Sequence, residues 1–175
     1  MAVSLGVRNE SVRKRVVRRD RLERLAERVC AGEAVPGDVE ISVLLCDDPA
    51  IADLNRRFGD GSGPTDVLSF EQESRPAASP RPLGDIVISL ETAERNCSGD
   101  PTLLRGEIEL LFCHGLLHLL GYDHYTDRAR GRMQRKQAEY LGLSEKAAWE
   151  FGPRTAAVSR AAAAKRTGGI RRVGQ

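Results

Sequence analysis

The stretch LLFCHGLLHLLG (110–121) constrains the fold of this chain more than any other. It continues a helix whose start is predicted at Asp100 and Pro101, because aspartate caps helix N-termini and proline is tolerated in the first turn. Beyond Leu110 this helix is apolar on almost every side, which is typical of a helix buried in a protein core. We therefore expect a globular domain in which other helices and strands cover it.

The rest of the chain predicts both strands and helices. The predicted strands are 2–7, 38–46, 67–73 and 84–90. The predicted helices are 11–33, 48–58, 91–97, 101–120 and 127–142. The chain has 175 residues, which is most simply one α/β domain, and we place it at 1–152. Residues 153–175 are rich in Ala, Arg and Gly, and we predict that they form a basic tail that is disordered when free.

The net charge of +2 is distributed unevenly. Residues 1–28 carry +5 and residues 153–175 carry +6, so the segment between them carries −9. Two basic ends predict contact with a polyanion. The alternative, which charge alone favours, is a solvated helix face and an inert tail.

The sequence also indicates where the protein works. No apolar run reaches the roughly 18 residues that a membrane span needs, and the N-terminus has no signal-peptide core, so we expect a cytoplasmic protein without membrane contact. The four cysteines are scattered without a C-x-x-C pair, which favours small buried hydrophobes over a disulfide frame.

All three histidines of the chain lie within 114–124. His114 and His118 are four residues apart, so on a helix both imidazoles project from one face. Gly121 allows the chain to leave the helix, and His124 can then turn back toward the first two. Three imidazoles at one point are the ligands of a catalytic zinc, with one coordination position left open. The alternative, three core histidines, would require a separate buried partner for each.

The spacing H-x-x-x-H-x-x-G-x-x-H is also that of the metzincin proteases, which is a remote alternative. Those enzymes place a glutamate directly after the first histidine, as the base that activates zinc-bound water. This chain has Gly115 there, and Met133, the only methionine after the motif, falls in a predicted helix rather than a Met-turn. A protease of this kind would lack its base.

Three segments of the chain resemble the YbeY family, bacterial and organellar endoribonucleases of rRNA maturation. HGLLHLLGYDH (114–124) is similar to the family signature H-G-x-L-H-L-x-G-Y-D-H at every fixed position. PTDVLSF (64–70) resembles the family's P-T-[ND]-V-L-S-F, and LGDIVIS (83–89) resembles its L-G-D-I-x-I. The resemblance covers residues 38–150 well, and the tail has no counterpart in it.

The resemblance implies a fold, a cofactor and partners. The implied fold is a mixed sheet of about four strands packed by about five helices, with Zn²⁺ held by His114, His118 and His124. The implied activity is cleavage of single-stranded RNA, in maturing the 3′ end of small-subunit rRNA and in ribosome quality control. The implied partners are rRNA, the small ribosomal subunit and a GTPase that assists its assembly.

One position departs from the family pattern and affects the predicted catalytic residues. Family members commonly carry an arginine after the aromatic residue of L-N-x-x-[YF]-R, whereas this chain has Gly59 there. Arg57 is the predicted substitute, because its planar guanidinium suits a phosphate, and an exposed basic helix end is the alternative for Arg56 and Arg57. Gly59 also keeps open a second function, a non-catalytic ribosome-assembly factor with a structural metal.

Asp123 is the other predicted catalytic residue. It would orient a ligand imidazole or take a proton, and capping of a surface turn is the alternative. Tyr122 is expected to pack rather than react. Thr65, Asp66 and Ser69 lie where a loop meets a strand near the predicted cleft, and turn capping competes with a functional role for them.

Overall fold

A computed structural model of the chain describes residues 1–59, 61–72 and 79–149, together with the backbone of 170–173. The strands are β1 Val3–Asn9, β2 Val39–Cys46, β3 Val67–Gln72, β4 Arg81–Ser89 and β5 Ile170–Val173. The helices are α1 Arg19–Gly32, α2 Asp48–Phe58, α3 Leu90–Asn96, α4 Pro101–Leu119, α5 Asp127–Leu141 and α6 Glu145–Trp149.

The strands form one mixed sheet in the order β1-β2-β4-β3-β5. The β1, β2 and β4 strands run parallel, and β3 is antiparallel to both β4 and β5. Buried and exposed residues alternate along the first half of β2, as expected when only one face of a strand meets the main core. The predicted α/β fold with a mixed sheet packed by helices is confirmed.

Helix α4 crosses the sheet and forms the centre of the core. Its side chains are buried almost continuously from Glu107 to Leu119, and the helix packs against β3, β4, α1, α3 and α5. Gly115 lies on the face toward the sheet, where an added Cβ would be 2.8 Å from Ser69 Oγ and 2.9 Å from Ile86 Cγ2. The missing side chain therefore lets the histidine-bearing helix approach the sheet closely. The predicted burial of the helix is confirmed.

The predicted first helix begins too early in the sequence. The structure starts α1 at Arg19, and residues 11–18 follow an irregular path. Asp47 explains this path, because its carboxylate accepts a hydrogen bond from Ser11 Oγ at 2.5 Å and another from the backbone N of Val12 at 2.9 Å. Val12, an apolar residue within the predicted helix, is 79% exposed. A contact over more than thirty residues thus overrides the helical pattern there.

The C-terminal end contains two elements that the sequence does not predict. Helix α6 is only five residues long. Strand β5 pairs its four residues with Ser69–Gln72 of β3. The rest of the predicted basic tail lies outside the described residues, so its predicted disorder and the boundary at residue 152 stay predictions. Within the described part of the chain, no helix has the length and apolar character needed to span a membrane.

Candidate metal centre

The three histidines converge on one point at the C-terminal end of α4. His114 and His118 lie one turn apart on the helix and are 8% and 2% exposed. His124 follows the helix and is partly buried, with its ring centroid 5.4 Å from that of His114 and 5.0 Å from that of His118. One ring nitrogen from each residue lies within 4.8 Å of the others. The predicted convergence of the three imidazoles is confirmed as geometry.

The turn that returns His124 to the helix is closed by backbone hydrogen bonds. Gly121 has φ +86°, a left-handed conformation that favours glycine. The Gly121 N donates to His118 O at 2.9 Å, and the Tyr122 N donates to Leu117 O at 3.0 Å. These bonds satisfy the last carbonyls of α4 while reversing the chain direction. The predicted role of Gly121 as the point where the chain leaves the helix is confirmed.

Hydrogen bonds determine which nitrogen of each helical imidazole faces the centre. The Nδ1 of His118 lies 2.8 Å from Tyr122 O, a carbonyl that only accepts, so Nδ1 carries the proton. The Nδ1 of His114 lies 3.1 Å from Gln137 Oε1. Because Gln137 Nε2 donates to Ala148 O at 2.6 Å, the amide orientation is defined and Oε1 faces the histidine. His114 therefore also carries its proton on Nδ1.

The two Nε2 atoms consequently face each other with their lone pairs, 3.1 Å apart. Protonating one of them would join the pair, but burial, together with the nearby His124, lowers the pKa of His118 to about 3. When both imidazoles are neutral, lone pairs that point at one place repel each other unless a cation lies between them. The donor set therefore fits a metal ion, and imidazole ligands suit zinc, copper, iron and nickel.

Two residues that complete the site are missed by the sequence analysis. Gln137 is a polar residue on the apolar face of α5, and that break in the pattern was the only signal for it. Trp149 of α6 lies 6.0 Å from the His114 ring and 5.8 Å from the His124 ring, measured between centroids. It forms an apolar wall beside the centre, and no local motif marks it.

Glu33, directly after α1, anchors the turn from the other side. Its Oε2 accepts from Tyr122 Oη at 2.7 Å, and its Oε1 accepts from Tyr140 Oη at 2.5 Å and from Lys136 Nζ at 3.1 Å. Burial opposes ionisation of this carboxyl, but the three donors outweigh burial and hold its pKa below the usual value. Tyr122 is thus fixed at both ends, by Glu33 at its phenol and by His118 at its carbonyl.

The predicted catalytic arginine lies in a different environment. Arg57 and Arg56 both donate to Asp53, at 3.5 Å and 2.6 Å, and both side chains are 61% exposed. The Arg57 guanidinium also lies over the ring of Phe58, 5.1 Å from its centroid. Among the described residues, Arg57 makes no contact with any of the three histidines.

A side chain at position 59 would clash with the end of α2. Its backbone is extended, with φ −93° and ψ 179°, so a left-handed conformation does not explain the glycine. An added Cβ would instead lie 2.1 Å from the backbone O of Asn55. The Asn55 amide in turn donates to Gly63 O at 2.9 Å, which holds the following loop against the end of α2.

The remaining predicted residues make local capping contacts. Asp123 Oδ1 accepts from the backbone N of Tyr125 at 3.2 Å, which caps the turn before α5. Asp66 Oδ1 accepts from the backbone N of Val67 at 2.8 Å, and Thr65 Oγ1 lies 3.5 Å from the same oxygen. Ser69 is buried beneath Gly115. These contacts support the capping alternative, while a catalytic role for Asp123 stays a prediction.

The protease alternative meets a structural obstacle. A glutamate in place of Gly115 would collide with Ser69 and Ile86, because this position faces the sheet and not the histidines. Met133 is fully buried within α5 and forms no Met-turn.

Comparisons with known proteins agree with this geometry. The model of the family described as Endoribonuclease YbeY matches residues 7–144. The Endoribonuclease YbeY of Pelotomaculum thermopropionicum is 43% identical over 125 residues, which cover 69% of this chain and 82% of that protein. The Endoribonuclease YbeY of Anaeromyxobacter sp. is 43% identical over 144 residues, which cover 79% of this chain and 74% of that protein.

A solved structure is similar in fold as well. The solution structure of TM1509 from Thermotoga maritima superposes with a TM-score of 0.51 at 26% sequence identity. The superposition covers 83% of this chain and 89% of that one.

Proposed function

The chain belongs to the YbeY family, and we propose that it is a zinc-dependent endoribonuclease that cleaves single-stranded RNA. Its relatives carry the name endoribonuclease, and the match spans most of the chain. Following the family resemblance, the proposed substrate is small-subunit rRNA near its 3′ end, with a further role in ribosome quality control. The proposed partners are the small ribosomal subunit and an assembly GTPase, and the proposed location is the cytoplasm.

One observation carries the proposal: the two Nε2 lone pairs of His114 and His118 meet at 3.1 Å, with His124 beside them. A purely structural pair of core histidines would share a proton across that distance. Here the Nδ1 protons face Gln137 and Tyr122, so the Nε2 atoms can direct their lone pairs at a shared metal ion. Three ligands leave a zinc ion one position for water or for a phosphate oxygen.

Each residue of the site would have its own role in RNA cleavage. A bound zinc would act there as a Lewis acid or lower the pKa of a bound water. The histidines would hold it, while Gln137 and the Tyr122 carbonyl keep two of the rings in a fixed tautomer and orientation. Arg57 would meet the negative charge that develops on the phosphate, as a planar guanidinium does well. Asp123, beside His124, would accept the proton released by the attacking oxygen.

A specific observation favours a second candidate, a non-catalytic ribosome-assembly factor with a structural metal. Arg57 is exposed and already bonded to Asp53, and Gly59 cannot hold the family arginine without moving Asn55. The site could therefore hold metal and bind rRNA while lacking the cation that cleavage needs.

Cleavage of a labelled single-stranded rRNA fragment separates the two candidates. We expect the purified protein to cut the fragment, a chelator to stop cleavage, and added zinc to restore it. His118→Ala should be inactive with or without zinc. Intact RNA after incubation with a fully zinc-loaded, folded protein would contradict the nuclease proposal and favour the assembly factor.

A further inference from the structure

A pocket of about 450 Å³ lies beside the turn that follows α4. Leu120, Gly121 and Tyr122 line one side of it. The other side is formed by the charged residues Arg132, Arg135, Lys136 and Glu139 of α5. Of these α5 residues, only Lys136 takes part in the metal centre described above, through its bond to Glu33.

Helix α5 presents two different flanks. Residues 132, 135, 136 and 139 follow the three- and four-residue spacing that aligns side chains along one flank of a helix. Gln137 lies on the other flank, where it bonds His114. The same helix therefore holds a metal ligand with one flank and lines the basic pocket with the other.

The three cations of the pocket differ in whether they form ion pairs with nearby carboxylates. Lys136 donates to Glu33 at 3.1 Å and to Glu139 at 3.5 Å, and the Glu33 bond raises its pKa further. Arg132 and Arg135 are exposed and, within the described part of the chain, make no ion pair. By contrast, Arg130 on the same helix is bonded to Asp127 at 2.6 Å. The pocket thus holds two guanidinium groups that form no ion pair with a carboxylate of the described chain.

We propose that this pocket binds backbone phosphates of the RNA strand through Arg132 and Arg135, an inference that rests on the proposed nuclease function. Guanidinium groups bind phosphate oxygens in a bidentate fork, and a concave site next to them limits where the strand can lie. Tyr122 links the pocket to the metal centre, because the residue lines the pocket and its carbonyl accepts the His118 proton. A strand anchored in the pocket would therefore contact Tyr122, the residue whose carbonyl orients His118.

The test measures binding separately from cleavage. A fluorescent single-stranded 2′-O-methyl RNA is titrated with the zinc-loaded protein at several salt concentrations, and a gel verifies that the RNA stays intact. Each phosphate contact on a single strand contributes about 0.7 to the slope of log affinity against log salt. We expect Arg132→Ala/Arg135→Ala to bind more weakly, with a slope shallower by about 1.4, and to keep its zinc content and melting temperature.

Arg130→Ala is the matched control, since it removes the same group from the same helix on the side away from the pocket. It should leave affinity and slope unchanged. An unchanged slope in the double variant would overturn the inference and leave the pocket to an acidic protein partner. RNA binding that depends on Arg132 and Arg135 without cleavage of natural RNA would instead overturn the nuclease proposal and keep the pocket. A protein that binds no RNA would contradict both.

Discussion

The metal centre and the arginine-bearing end of α2 are both predicted to serve one reaction, but they are built differently. The helical histidines are almost fully buried, and their outer nitrogens are fixed by Gln137 and Tyr122. Arg56 and Arg57 are 61% exposed and share the single carboxylate of Asp53. Exposed ion pairs of this kind contribute only about 0–1 kcal/mol. The histidines are therefore preorganised for their ligand, whereas the arginines must still be ordered by the substrate.

The comparison predicts the largest effect at a histidine. His118→Ala removes one of the three proposed ligands, so zinc-loaded protein should lose nearly all of the metal, as measured by elemental analysis after gel filtration. His118 is buried, so melting temperature is recorded in parallel to show that the variant is folded. Zinc retained at one ion per folded chain would show that the ligands lie elsewhere.

The next effect is expected at the glutamine behind His114. Gln137→Leu removes the acceptor of the His114 Nδ1 proton, so zinc affinity should fall by about 10- to 100-fold. A competition titration against a chromogenic chelator measures this change. Gln134→Leu is the matched control, because Gln134 lies on the same helix and donates to the Glu145 carbonyl rather than to a histidine. Equal losses in both variants would indicate general loosening of α5 rather than loss of imidazole orientation.

An arginine at position 59 should destabilise the arginine-bearing end of α2 without raising RNA cleavage. Gly59→Arg forces a Cβ to within 2.1 Å of Asn55 O, so we expect a loss of about 1–3 kcal/mol in the free energy of unfolding. Gly63→Arg is the control, since nothing lies within 4 Å of an added Cβ there. Urea denaturation compares the two. A Gly59→Arg protein as stable as the parent and faster in cleavage would show that the loop adapts easily.

The smallest effect is expected at Arg57 itself. Arg57→Ala should lower RNA cleavage by less than the ~10²-fold that loss of a preorganised group costs, because the exposed side chain is only partly ordered. Arg56→Ala removes the other partner of Asp53 and should change cleavage little. Initial rates at saturating RNA measure both. Identical rates in the parent and Arg57→Ala, with zinc retained, would remove Arg57 from the mechanism.

The part of the site that lies close together in sequence is predictable, and the rest is not. Helical spacing places His114 above His118, and Gly121 supplies the turn that returns His124, so local geometry alone predicts the triad. Gln137 acts on His114 across 23 residues, and Glu33 reaches Tyr122 across 89. Such partners depend on how helices pack, which no local pattern encodes.

The fold divides in the same way. Periodicity predicts α4 and the strands that cover it, because burial of apolar side chains stabilises these elements wherever the chain places them. The predicted start of α1 is wrong by eight residues. The distant Asp47 carboxylate accepts hydrogen bonds from Ser11 and Val12 and holds this segment out of the helix. The short elements α6 and β5 carry too few residues for a periodic signal.

The central claim is that three imidazoles hold one metal ion, and X-ray absorption of the zinc-loaded protein tests it most directly. We predict one zinc per chain with a first shell that contains three imidazole nitrogens at about 2.0–2.1 Å. His124→Ala, which leaves the helical pair intact, should reduce the imidazole count to two. A shell with two or fewer imidazoles in the parent protein, or one unchanged in His124→Ala, would contradict the account.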